Sequence, residues 1–270
     1  MIRTIKTSIV VRKVRSIMNE HAANGEPIQQ LLGEDIVQID HYIKSVLRES
    51  LTLVFREAPI ELLPPTNAAK DILPKSKDPI IAQAQEENYN KPYSYVAVGS
   101  TGREVMVIEL PDSFLRFQRL KLDSWGKSIG VLNDVGSVQF AEQYNKHTEG
   151  TNSRPRANLV YSERGKKAIE CHPAGSNLEY LIIVCAPQFS KDKGNTGGNV
   201  LNVAGDEDLL NGVDLYATID DALLDAWCYM AASLVYSIFE RRDTSREMER
   251  ISLSIISSRQ RHPSSKVPSE

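Results

Sequence analysis

The chain is poor in cysteine and lacks any long apolar run. Its 270 residues hold three cysteines, Cys171, Cys185 and Cys228, too few for a disulfide framework, so a reducing, intracellular compartment is expected. No stretch approaches about 18 uninterrupted apolar residues, so no membrane span and no membrane partner are expected. The first residues also lack the apolar run of a signal peptide. Five histidines (His21, His41, His147, His172, His262) and the cysteines show no metal-ligand spacing. Gly99-Ser100-Thr101-Gly102 and Gly194-Asn195-Thr196-Gly197-Gly198 have neither a P-loop lysine nor dinucleotide-binding spacing. They read as a hairpin turn and a loop rather than as phosphate cradles. Cys171-His172 offers a nucleophile beside a base, the pair a small hydrolase would use. Neighbours on a strand point to opposite faces, however, so they read as one buried cysteine beside one exposed histidine. No catalytic constellation emerges: no cofactor, no metal and no enzymatic activity are expected.

What is present is an ordinary globular composition, 41% hydrophobic and 25% charged, with an uneven spread of charge. The net charge is −3. Residues 1–20 carry five bases and one acid, and residues 241–270 carry seven bases and four acids, which leaves −10 in between. An acidic body between basic ends disfavours wrapping nucleic acid on the main surface and leaves the ends for acidic partners.

Periodicity gives the elements. Residues 4–20 read as a helix on Ile9, Val10, Val14, Ile17 and Met18, with Arg12, Lys13 and Arg15 between them. It serves either as a basic arm for nucleic acid or a membrane surface, or as an amphipathic helix packed on the body. Residues 35–57 form a stronger helix (Ile36, Ile39, Ile43, Leu47, Leu51, Val54), stopped by Ala58-Pro59. Residues 58–92 read as a proline-rich irregular connection with a short helix around 80–85. Strands follow near Tyr95–Val98, Glu104–Leu110, Leu115–Leu122, Lys127–Val131, Ala157–Tyr161, Ala168–His172 and Leu178–Ala186, with a short helix at 137–146. The last of these strands is nearly all apolar and is expected to be central. Residues 188–206 read as a mobile glycine-rich loop. Thr218-Ile219-Asp220-Asp221 reads as a capping box that opens a helix over 219–241. Arg241 and Arg242 complement that helix's C-terminal dipole.

That helix has two faces. Leu223, Trp227, Met230, Leu234 and Ile238 form one stripe. Ala222, Ala226, Tyr229, Ser233 and Tyr236 form a second, small-residue face, read as an inter-subunit contact. A short helix is expected over 244–256 and an extended tail from Ser258. Ile251, Leu253, Ile255 and Ile256, followed by Arg259, Arg261 and His262, read as a peptide that docks on a neighbouring protein by strand addition or in a groove. The expected fold is α+β: early and late helices as a bundle flanking an antiparallel β-sandwich-like body, with an extended C-terminal tail. Its segments are 1–92 (helices and connection), 93–206 (β-rich body), 207–257 (C-terminal helices) and 258–270 (tail).

Four short patterns carry a resemblance. They are Ile39-Asp40-His41-Tyr42-Ile43 running to Ala58-Pro59, and Ile108-Glu109-Leu110-Pro111-Asp112-Ser113-Phe114-Leu115-Arg116. The third is Leu120-Lys121-Leu122-Asp123-Ser124-Trp125 with Gln143-Tyr144-Asn145 and Arg154-Pro155. The fourth is Asp225-Ala226-Trp227-Cys228-Tyr229-Met230-Ala231-Ala232-Ser233-Leu234-Val235. In this order, over residues 35–256, the chain resembles the head-to-tail connector (adaptor) and tubular-tail ring proteins of short-tailed and crAss-like bacteriophages. The resemblance implies a virion protein at the portal vertex, assembled in the host cytoplasm into a ring of twelve copies. It implies the portal protein and an adjacent tail ring or other tail proteins as partners, and genome DNA in the bore without sequence-specific binding. The residues alone leave a nucleic-acid-binding module built on the basic termini as an alternative, and a small hydrolase as a more distant one.

Overall fold

A computed structural model describes residues 1–21, 36–74, 91–98, 102–134, 137–143, 150–192, 205–211 and 213–260. The fold is α+β, and the chain divides into two compact units. One takes both ends, Met1–Pro64 with Ala186–Glu270; the other is the continuous stretch Pro65–Cys185. The four consecutive segments read from the sequence therefore regroup, because the first and last segments build one unit together.

The helical unit begins with strand β1 (Ile2–Lys6), antiparallel to β10 (Tyr216–Asp220). Residues 4–6, expected to be helical, are thus extended, and helix α1 (Thr7–Glu20) starts at Thr7. Val10, Val11, Val14, Ile17 and Met18 are buried on one face of it, while Ile9 is exposed. Helix α2 (Ile36–Glu57) buries Ile39, Ile43, Leu47, Leu51 and Val54, the expected stripe from Ile39 onward, and ends before Ala58-Pro59.

The β-rich unit contains two sheets. One has the order β2 (Thr66–Asn67), β9 (Leu178–Cys185), β6 (Phe114–Leu122); the nearly all-apolar strand β9 is its centre, as expected. The second has the order β3 (Leu73–Pro74), β4 (Tyr93–Val98), β5 (Glu104–Glu109), β8 (Lys167–His172), β7 (Arg156–Tyr161). All pairs are antiparallel except β3–β4. Met106, Ile108, Ile169 and Cys171 from the five-stranded sheet share one apolar cluster with Leu120, Leu122, Leu181 and Ile183 from the other, completed by Trp125. The Trp125 indole N–H donates to the Pro173 carbonyl at 3.0 Å.

Several expectations need correction here. Thr66–Asn67 and Leu73–Pro74 are short strands inside the proline-rich connection, so it is less irregular than read; the short helix expected around 80–85 lies outside the described residues. Pro74 sits in an edge strand, where a missing N–H is tolerated. Lys127–Val131 is not a strand: among the described residues only Ile129 bridges, to Leu120. A short helix, α3 (Val138–Gln143), stands where 137–146 predicted one. Of the 188–206 loop, Phe189 and Ser190 are buried and Ser190 bridges Tyr216, because Phe189 stacks on Trp227. Residues 193–204 lie outside the described residues.

After helix α4 (Asp206–Leu210) and β10, a 3-10 turn at Asp221–Leu223 leads into helix α5 (Leu224–Ile238) and helix α6 (Arg242–Gln260). The expected capping box is absent because Thr218 is inside β10, paired with Thr4. Asp220 is the cap instead: its carboxylate accepts from the Ala222 N–H at 2.9 Å. Between α5 and α6, Glu240 adopts φ 58° and the Arg241 N–H returns to the Tyr236 carbonyl at 2.9 Å. Arg242 therefore opens α6 rather than closing α5, which removes the dipole role read for it. Helix α6 runs to Gln260, so Ser258–Gln260 is helical and not extended.

Candidate functional site

Four bases of the N-terminal segment meet four carboxylates of the same unit. Arg3 pairs with Asp221 and Lys13 with Asp225. Lys6 lies 3.4 Å from Asp214, and Arg15 3.2 Å from Asp40. Asp214 also caps α1 from outside: it accepts from the Ser8 N–H at 3.1 Å, the Ser8 hydroxyl at 3.0 Å and the Thr7 hydroxyl at 3.3 Å. Lys6, the residue before α1, supplies no side-chain cap of its own. Burial would push the Asp214 carboxyl up, but the Ser8 bonds and Lys6 bring it below its ordinary value. The hydrogen bond to Asp225 raises Lys13.

This changes the meaning of the charge pattern. The β-rich unit, residues 65–185, holds fifteen bases against fourteen acids, a net +1. The helical unit carries the remaining −4, with basic ends and acidic stretches in one body. The acidic body is therefore not the β-rich part, and the basic N-terminal arm is matched by its own chain.

Magnitudes say what holds that segment down. Exposed ion pairs contribute about 0–1 kcal/mol each. Val10, Val14 and Met18 are fully buried, at about 1.5–3 kcal/mol per side chain. Apolar packing supplies the grip, and the charges select register and partner.

The small-residue face of α5 is covered by the same chain, which corrects its reading as an inter-subunit contact. Tyr236, fully buried, donates its hydroxyl to the Met18 carbonyl of α1 at 3.1 Å. Tyr229, half-buried, meets the His21 ring edge-on at the end of α1. Toward α6, the Ser233 hydroxyl donates to the Ser245 carbonyl at 2.9 Å, and Ser252 donates to the Ala226 carbonyl at 2.8 Å. Ala226 and Ser233 are buried and Ala222 is half-buried. On the other stripe Leu223, Trp227 and Met230 are buried, Leu234 is half-buried and Ile238 is exposed. The Trp227 indole N–H donates to the Leu47 carbonyl and the Ser50 hydroxyl of α2, both at 3.1 Å.

Residues 251–260 of the docking peptide read at 251–262 form the second half of α6, so strand addition is excluded there. Ile256 points into the bundle; Ile251, Leu253 and Ile255 are half-buried, and Arg259 is exposed. Arg261 and His262 lie outside the described residues.

Cys171 and His172 do lie on opposite faces of β8, but both are buried, which corrects the exposed histidine. Cys171 joins the apolar cluster, and burial raises its thiol well above the ordinary value. His172 Nε2 lies 3.2 Å from Glu170 Oε1, on the sheet face that also buries Asn158. Burial raises Cys228 to about 12 and also raises Cys185. Among the described residues no group of histidine, cysteine and acidic side chains is placed to hold a metal ion, and no helix is long and apolar enough to cross a membrane.

Sequence reasoning missed Glu109 and Arg164. Glu109 is 1% exposed. Arg164 Nε donates to Glu109 Oε1 at 2.9 Å, a second guanidinium N–H reaches Oε2, and the Tyr93 N–H donates to Oε2 at 3.2 Å. The guanidinium lies 4.5 Å from the Tyr93 ring centroid. The signal was an acid ending an otherwise apolar strand, Val105–Glu109, on a face that the strand buries.

No family model matches the chain, and no curated protein matches it.

Proposed function

We propose that this chain is a structural virion protein, a subunit of the ring that joins portal to tail in a tailed bacteriophage, with genome DNA passing through the bore. The observation that carries the reading is where the connector-like patterns fall. Ala58-Pro59 closes α2, and Leu120, Leu122 and Trp125 lie in the core of the β-rich unit. Asp225–Val235 forms most of α5, on which α1, α2 and α6 all pack. These three patterns thus occupy positions that shape their units.

On this reading the partners are copies of the chain in a twelve-membered ring, the portal protein and the next tail ring. DNA is a passenger without sequence-specific contacts. The flank of α6 that carries the half-buried Ile251, Leu253 and Ile255 and the exposed Arg259 is the contact for the portal or a neighbouring subunit. Light scattering of the isolated chain, together with electron microscopy of particles that contain it, tests the proposal. A closed ring at the portal vertex is the expected result. A chain that stays monomeric in solution and is missing from the vertex overturns it.

A further inference from the structure

The β-rich unit interrupts the helical one, and the interruption is narrow. Leu63 and Phe189 of the helical unit, both buried, flank the two crossings. Neither crossing carries a regular element. A 3-10 turn, Ile60–Leu62, stops before Pro64-Pro65, and β9 stops at Cys185 before Ala186-Pro187. These prolines have no N–H, so no hydrogen-bonded helix or ladder runs through either crossing. On the insert's side, Thr66 lies opposite Ile183 and Asn67 opposite Ile182. Asn67 Oδ1 also accepts from the Leu181 N–H at 3.4 Å. The chain therefore enters and leaves the β-rich unit through neighbouring strands, roughly 5 Å apart as antiparallel partners are.

Each unit is closed by contacts of its own. In the β-rich unit Met106, Ile108, Ile169, Leu181 and Ile183 share one apolar cluster. In the helical unit, segments that precede the insert bond to segments that follow it. Trp227 donates to Leu47 and Ser50, Tyr236 donates to Met18, and the Arg48 guanidinium lies 5.3 Å from the Phe189 ring centroid. These contacts tie the two sides of the insertion together within the helical unit itself. Loss of order over residues 65–185 then leaves a loop between fixed ends, and the entropic cost of keeping a loop closed grows only with the logarithm of its length. Contiguous segments with their own buried core open as separate cooperative units. We propose that the β-rich unit is a conformational device inserted in the fold: its core opens and recloses as one body while the helical unit, built from both ends of the sequence, stays shut. The inference stands apart from the portal reading, since a ring subunit can open as one body and independent units need no virion.

Hydrogen exchange of the full-length chain in low urea, read peptide by peptide by mass spectrometry, tests this. Leu181→Ala cuts a fully buried side chain from the β cluster, and Ile183→Val makes a smaller cut beside it in case the larger one prevents folding. The amides of β5, β8 and β9 are expected to exchange about tenfold faster or more in Leu181→Ala, and about twofold faster or more in Ile183→Val. Those of α2 and α5 are expected to keep their wild-type rates in both. Leu51→Ala, in the fully buried stripe of α2, is expected to give the reverse: faster exchange in α2 and α5, with the β strands unchanged. If α2 and α5 accelerate by the same factor as the β strands in either β-unit variant, or if the β strands accelerate with α2 in Leu51→Ala, the two units open as one body and the proposal is overturned.

Discussion

At the scale of single residues, two carboxylates do unlike work. Glu109 is held by Arg164, the Ser162 hydroxyl and the Tyr93 N–H; burial pushes its pKa up, but these bonds outweigh burial and leave it below its ordinary value. A depressed folded pKa contributes stability above the unfolded value that fades as pH falls through the folded one. Glu109→Gln is therefore expected to cost about 3 kcal/mol at neutral pH, since it leaves Arg164 uncompensated. The gap from wild type in urea melts should shrink as pH falls through the acid range in which carboxylates are protonated. An equal gap at pH 7 and pH 3 contradicts the account. Asp220 and Thr218 make the second contrast. Asp220→Ala removes the cap at Ala222 and should cost about 1 kcal/mol. Among the described residues the buried Thr218 hydroxyl has no hydrogen-bond partner, so Thr218→Val should stay within about 0.5 kcal/mol of wild type. If the two costs are reversed, the cap is at Thr218 after all.

At the scale of elements, the interlock of α1, α2 and α5 makes its own prediction. Tyr236→Phe leaves the buried Met18 carbonyl without its donor and should destabilise by about 1–2 kcal/mol; an unchanged melting midpoint would contradict that hydrogen bond. The helices were legible because period 3.6 is local: the stripe from Ile39 to Val54 survives any tertiary context. Strand β1 was not, because Ile2–Lys6 becomes a strand only through β10, and Thr218 lost its capping role by that same pairing. Lys127–Val131 has strand-like residues but finds one bridging partner. The α5 face was seen correctly as a contact face, while its occupants, α1 and α6 of the same chain, could not be read from a pattern confined to α5. Glu109 and Arg164 lie 55 residues apart, beyond any local motif.

At the scale of the whole molecule, charge summed by position along the chain misled, since the fold gathers both ends into one unit. The expected consequence is weak DNA affinity: Arg3, Lys6, Lys13 and Arg15 face carboxylates, and on α6 Arg242, Arg246 and Arg250 alternate with Asp243, Glu247 and Glu249. Duplex binding in about 0.1–0.2 M salt should be negligible. A steep salt slope, as several phosphate contacts produce, would restore the basic-termini reading. Truncation after Ser257 removes Arg259 and the end of α6 while leaving Met248, Ser252 and Ile256 in the bundle. The circular dichroism spectrum should persist and ring assembly should fail; intact assembly would remove α6's end from the docking surface.

The split of one unit across both ends also sets a timetable. Residues 65–185 leave the ribosome as a continuous block, whereas β1 waits for β10, more than two hundred residues behind it. At about 5–20 residues per second that wait is roughly 10–40 s. Throughout it the apolar stripe of α1 has been made and its seat has not.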